Sequence, residues 1–123
     1  MALKQVVRSP LTIDGAELRL VRLPLVTPFT IATGTMHEKL FPLVRLFSGD
    51  LEGVAEAVMD PLPDYLEETT AGAMDFLSNV LLPDLIGKSF ANPQALARHL
   101  APWRGNHMAR ASVEMAFWDL WAR

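Results

Sequence analysis

NHMARASVEMAFWDLWAR, residues 106–123, reads as a helix that is apolar on two faces rather than one. Met108, Ala111, Met115 and Ala122 fall on one stripe at helical spacing, and Val113, Phe117, Leu120 and Trp121 on another, with Trp118 between them. A helix apolar nearly all round has to be covered on more than one side. The rest of the chain can cover one of those sides. The other calls for a surface that 123 residues do not obviously contain, so the expectation is one part of something larger.

Working outward from that helix, the hydrophobic period changes. From Ile13 to Val26, Ala16, Leu18 and Leu20 share one parity and Glu17, Arg19, Val21 and Leu23 the other, which predicts a strand with one face buried and the other partly covered. Pro24 and Pro28 interrupt regular pairing, and the polar, glycine-bearing run TPFTIATGTMHEK (27–39) predicts a long mobile connection. LFPLVRLF (40–47) predicts a second strand, Ser48-Gly49-Asp50 a tight turn, and Leu51 to Val58 a third strand. MDPLPDY (59–65) carries Pro61 and Pro63 and predicts a second loop. Glu67, Glu68 and Thr69 or Thr70 then open a helix with acidic residues in its first turn. Its apolar stripe is Ala73, Phe76, Leu77, Val80 and Leu81, and Pro83 and Gly87 punctuate its end. Asn92-Pro93 is an N-cap followed by a proline suited to the first helical position, and Pro102 and Gly105 close that helix. The fold class is therefore α+β, a three-stranded antiparallel meander followed by a three-helix bundle. Residues 1–12 read as an N-terminal extension and 13–123 as one domain, with the sheet in 13–58 and the helices in 66–123.

Composition narrows the partners. Half of the residues are hydrophobic and 20% charged, as in a folded globule, and the net charge of −3, with scattered Lys and Arg, leaves no footprint for a phosphate backbone. Nucleic acid is not an expected partner. No apolar run reaches the roughly eighteen to twenty residues of a membrane span, and MALKQVVRSP has no apolar core of a secretory signal. The absence of cysteine removes disulfides, thiolate nucleophiles and Cys-type zinc sites, which fits a cytoplasmic location.

Chemistry-bearing patterns are sparse. His37, His99 and His107 are far apart with no HExxH-type pairing, so they read as solvated or locally bonded. Asp60, Asp64, Glu67 and Glu68 lack the ligand spacing of a calcium loop and read as helix-start acids. The isolated glycines form no phosphate cradle, and no nucleophile–base pair stands out; no catalytic residue and no metal ligand is expected in this chain. What remains is two loops, each following a strand and each rich in large apolar side chains. Phe29, Ile31 and Met36 belong to the first and Met59, Leu62 and Tyr65 to the second. Singly such residues are as often core-fillers. Two such loops meeting would form an adaptable wall for an apolar ligand.

Three stretches join these observations: AELRLVRLPLVTPF (16–29), GVAEAV (53–58) and RGNHMARASVEMAFWDLWAR (104–123). With the order of elements, they resemble the N-terminal capping domain of the enolase superfamily in its muconate-lactonising branch, most of all the N-acylamino acid racemases that also act as o-succinylbenzoate synthases. Ala55 departs from the family, which often carries a second glycine before the acid that is Glu56 here. The resemblance implies a (β/α)₈ barrel as the partner domain, with the chemistry at the C-terminal ends of its strands. Catalytic lysines and a divalent metal, usually Mg²⁺, would then be held beyond Arg123, with no cofactor in this chain. It implies that the two loops close over the barrel and shape specificity toward an N-acylamino acid or succinylbenzoate-type substrate. It also implies that Met115, Trp118 and Trp121 pack on the barrel; for either tryptophan the alternative is the domain's own core. Left uncovered, that face predicts a homo-oligomer. Two other readings stand beside this one, a free-standing self-associating scaffold and a small-ligand-binding module with the same fold.

Overall fold

The computed structural model describes residues 9–31, 34–64 and 66–123. In chain order the elements are β1 (Leu11–Thr12), β2 (Gly15–Ile31), β3 (Gly34–Ser48), β4 (Leu51–Glu56), α1 (Thr70–Phe76), a π-helical turn (Leu77–Leu81), α2 (Leu82–Leu85), β5 (Ser89–Phe90), α3 (Pro93–Leu100) and α4 (His107–Trp121). The sheet is β2-β3-β4, antiparallel throughout, and β1 pairs separately with β5. The helices pack on the face of the sheet that carries Val44 and Leu46. The core joins these two to Leu77, Leu81, Leu85, Leu96, Val113 and Phe117, all fully buried. The α+β architecture is the one the periodicities predict.

Within the run 27–39, expected to be a mobile connection, residues 29–31, 34–36 and 38–39 are instead paired as strand in a hairpin arm. β2 and β3 continue to Ile31 and Gly34, with Phe29 opposite Met36 and a register shift between Pro24 and Phe29. The prolines are tolerated because β2 is an edge strand, where a missing N–H removes no obligatory ladder bond. Their effect is the local bulge rather than the end of pairing.

A different proline does end a ladder. The last paired residues of β3 and β4 are Leu43 and Glu56, and the Ala57 N–H then donates to the Pro42 carbonyl at 2.9 Å. Pro42 has no N–H to return the second bond of that pair, so β4 stops at Glu56, short of the expected Val58, and the chain peels away from the sheet.

Gly53 on β4 lets α4 approach closely. A Cβ there would lie 2.6 Å from the Leu120 nitrogen and collide with the Ala116 carbonyl. Asp119 completes the contact by accepting the Val54 N–H at 2.9 Å.

The first helix begins later than the acidic residues implied. Thr69 is its N-cap, accepting the Gly72 N–H at 3.0 Å, and Glu67 and Glu68 lie before it. Pro83 does not end the helical segment either. The turn ahead of it widens to π geometry, with the Leu82 N–H bonded to the Leu77 carbonyl. That widening relieves the clash a proline ring makes with the carbonyl four residues back, and the segment runs on to Leu85. Asn92 caps α3 as expected, accepting the Ala95 N–H at 2.8 Å, with Pro93 at the first helical position.

Candidate functional site

Because β4 stops at Glu56 while β3 extends back to Gly34, the hairpin arm overhangs the segment that leaves the sheet. A groove of about 590 Å³ opens between residues 34–41 of β3 and residues 58–64. Its apolar walls are Met36, Leu40, Phe41, Val58, Met59 and Leu62, with His37, Glu38, Lys39, Asp60 and Asp64 supplying the polar rim. Lys39 Nζ stands 4.9 Å above the Phe41 ring and 3.5 Å from Glu56, and Glu38 faces Arg22 at 3.7 Å. The lysine is thus an ion-pairing side chain laid over an aromatic face.

Of the apolar loop residues singled out from the sequence, the groove unites Met36 from the first loop with Met59 and Leu62 from the second. Met59 is a correction in one respect: it is not an exposed loop tip but only 7% exposed, part of the domain core as well as of the groove wall. The chain has already left the sheet there, and Asp60 next to it is bridged to Thr69. Phe29 is 58% exposed and faces Met36 across the ladder without lining the groove. Ile31 pairs with Gly34 at the end of the arm, and Tyr65 lies outside the described residues.

The two faces of α4 separate cleanly. Ala109, Ser112, Val113, Ala116, Phe117 and Leu120 are buried, while Met115 and Trp118 are 48% and 49% exposed. Trp121 is half-buried and stacked on Phe117, with ring centroids 6.4 Å apart. Trp118 therefore belongs to the uncovered face and Trp121 to the margin of the core.

Among the described residues, no three His, Asp or Glu side chains come together as a metal site. His99 is locally bonded, its Nε2 being 2.7 Å from Asp84 Oδ2, and His107 Nδ1 is 2.9 Å from an Arg110 guanidinium nitrogen. Lys88 first and His99 second hold the Asp84 carboxyl below its ordinary range. The bond from Val54, reinforced by Arg123, does the same for Asp119. Neither carboxylate lines the groove.

Residues 15–123 match the family described as mandelate racemase / muconate lactonizing enzyme, N-terminal domain. The chain belongs to that family. This N-terminal domain is 50% identical to an N-succinylamino acid racemase of Thermus thermophilus over 90% of its own length and 30% of the racemase. It is 35% identical to an o-succinylbenzoate synthase of Listeria innocua, over 88% of this chain and 29% of the synthase. In three dimensions it is similar to an enolase superfamily member from Listeria innocua, with a TM-score of 0.85 and 34% identity over 91% of this chain and 30% of that one. Its similarity to an L-Ala-D/L-Glu epimerase from Bacillus subtilis gives a TM-score of 0.78 and 31% identity, over 90% of this chain and 31% of that one. The mandelate racemase / muconate lactonizing N-terminal domain thus spans about 30% of the length of these relatives.

In this N-terminal domain the groove residues that sequence reasoning passed over are Leu40, Phe41 and Val58. Pro42 was their signal: a proline inside an apolar strand marks where a ladder loses its donor, and a groove opens beside it.

Proposed function

We infer that this domain is the lid of a two-domain racemase or synthase, closing over a (β/α)₈ barrel that holds the catalytic groups. The substrate would be an N-acylamino acid or a succinylbenzoate-type acid, its apolar part lying against the groove. The observation that carries this reading is the groove itself, which brings Met36 and Met59 from two separated segments onto one apolar wall. The 50% identity with an N-succinylamino acid racemase supports the substrate class. The uncovered stripe of α4, Met115 and Trp118, supports a partner surface.

In this reading the domain's own residues bind, orient and exclude water. Enclosing the substrate under an apolar wall strengthens the electrostatic interactions that act on it and blocks side reactions. A divalent metal, usually Mg²⁺, would supply enolate stabilisation from the barrel. The described residues of this domain bring no set of donors together for it.

The test is a racemisation assay on N-succinyl amino acids with Mg²⁺. The 123-residue chain alone is expected to give no turnover, and a matching barrel fragment added to it is expected to restore part of the activity. Turnover by the chain alone would overturn the reading. A second reading, a self-associating module, is favoured by the same exposed face of α4 and predicts concentration-dependent oligomers in which Trp118 is buried.

A further inference from the structure

α4 begins without a cap of its own. Gly105 and Asn106 both adopt left-handed backbone conformations, with φ of 57° and 54°, and the Asn106 amide donates to the Arg104 carbonyl instead of receiving the helix's first N–H groups. Those donors are taken from forty residues upstream. The Glu68 carboxylate accepts the Met108 N–H at 2.8 and 3.1 Å and the Ala109 N–H at 3.3 Å. A carboxylate on the positive end of a helix, with charge-assisted bonds to orphan donors, is the strong form of this contact.

Glu68 follows in the chain after the segment 58–64 that forms the second groove wall. Next to it, Thr69 caps α1 and bridges Asp60, and the Thr70 N–H donates to the Asp60 carbonyl at 3.0 Å. The ties form a chain: α4 start to Glu68, Glu68 to the α1 start, and the α1 start to Asp60 in the wall. The wall's other end is tied by the Ala57 bond to Pro42 and by the burial of Ala57 and Met59 in the core.

We propose that Glu68 is the positioning residue of the 58–64 wall, fixing its height over the groove by seating it on the helix that carries Met115 and Trp118. Its consequence for substrate rests on the lid reading above. Through Glu68, any displacement of α4 is transmitted to the groove wall, so the same helix that presents the uncovered face also sets the shape of the groove.

The test compares Glu68→Ala, Glu68→Gln and Asn92→Ala in this chain. Asn92→Ala removes the cap of α3 and serves as a control for loss of a helix cap away from the groove. With Glu68→Ala the Thr70 amide is expected to exchange about tenfold faster relative to Val44 and Leu46, and order parameters over Val58–Asp64 to fall below about 0.6. Glu68→Gln retains an acceptor oxygen and should recover most of the protection. It also carries the test should the alanine variant fail to fold. Asn92→Ala should leave the wall unchanged. Equal acceleration at Thr70, Val44 and Leu46 would reduce Glu68 to general stabilisation and overturn the proposal. In the two-domain enzyme, Glu68→Ala is expected to raise KM about fivefold with kcat nearly constant. A loosened wall with unaltered KM would count against the lid reading while leaving the positioning role standing.

Discussion

Gly53 has no room for a side chain, because the space a Cβ would take is filled by the backbone of α4 at Ala116 and Leu120 rather than by a yielding side-chain tip. Gly53→Ala must push the helix off the sheet and break the bond between Asp119 and Val54. A loss of about 3 kcal/mol is expected from urea denaturation, the upper part of the range for overpacked cores. A change under about 0.5 kcal/mol would mean that the two backbones are not in contact. Gly53 reads in the sequence as an ordinary turn or close-approach glycine, and only the fold says which backbone it meets. Asp84 makes a pH-dependent contribution. Its carboxyl is held below the ordinary range, chiefly by Lys88 and then by His99. A depressed folded-state pKa contributes stability that is present above the unfolded value near 4 and is lost as pH falls through the folded one. The unfolding midpoint of the parent chain should therefore drop more steeply as the pH falls below about 4 than that of Asp84→Asn. Parallel curves would remove Asp84 from the acid response.

At the scale of elements, α4 sorts its aromatic residues by face. Phe117 is fully buried and stacked with Trp121, whereas Trp118 is half exposed on the opposite side with Met115. Phe117→Ala should cost about 3–5 kcal/mol in denaturation. Trp118→Glu should change the denaturation midpoint little and lower self-association measured by sedimentation. A large loss of stability from Trp118→Glu would show that face to be sealed within the domain. The two apolar stripes of this helix were legible in the sequence because period and residue type alone define them. Which stripe meets the sheet was not, since that choice depends on Gly53, which is remote in the chain and adjacent in space. The same limit explains the other differences. Local rules made 27–39 a loop, but strand pairing across the arm outweighs the two prolines when they sit on an edge. Local rules gave Glu68 to the nearest helix, and the structure gives it to the distant one. The groove was legible as two apolar loops, and the ladder stop at Pro42 that makes them meet was not.

For the whole molecule, the lid reading links the groove and the uncovered face of α4, since in that reading both work against a second body. Phe29 is 58% exposed on the hairpin arm, opposite Met36, which lines the groove. An exposed aromatic on an edge strand contributes little to stability, because most of its surface is wet whether or not the domain is folded. If the lid closes on a barrel, the same ring is brought against the substrate or its entrance, and its area becomes binding energy in the closed state only. Phe29→Ala in the two-domain enzyme should therefore shift kcat/KM among N-succinyl amino acids of different side-chain size by about tenfold, while the melting temperature stays within a few degrees. The direction follows from volume: removing the ring relaxes discrimination against the largest side chains and weakens turnover of the smaller ones that need the ring to exclude water. Equal loss for every substrate, in step with a falling melting temperature, would make Phe29 a packing residue and leave Met36 and Met59 as the groove's own determinants.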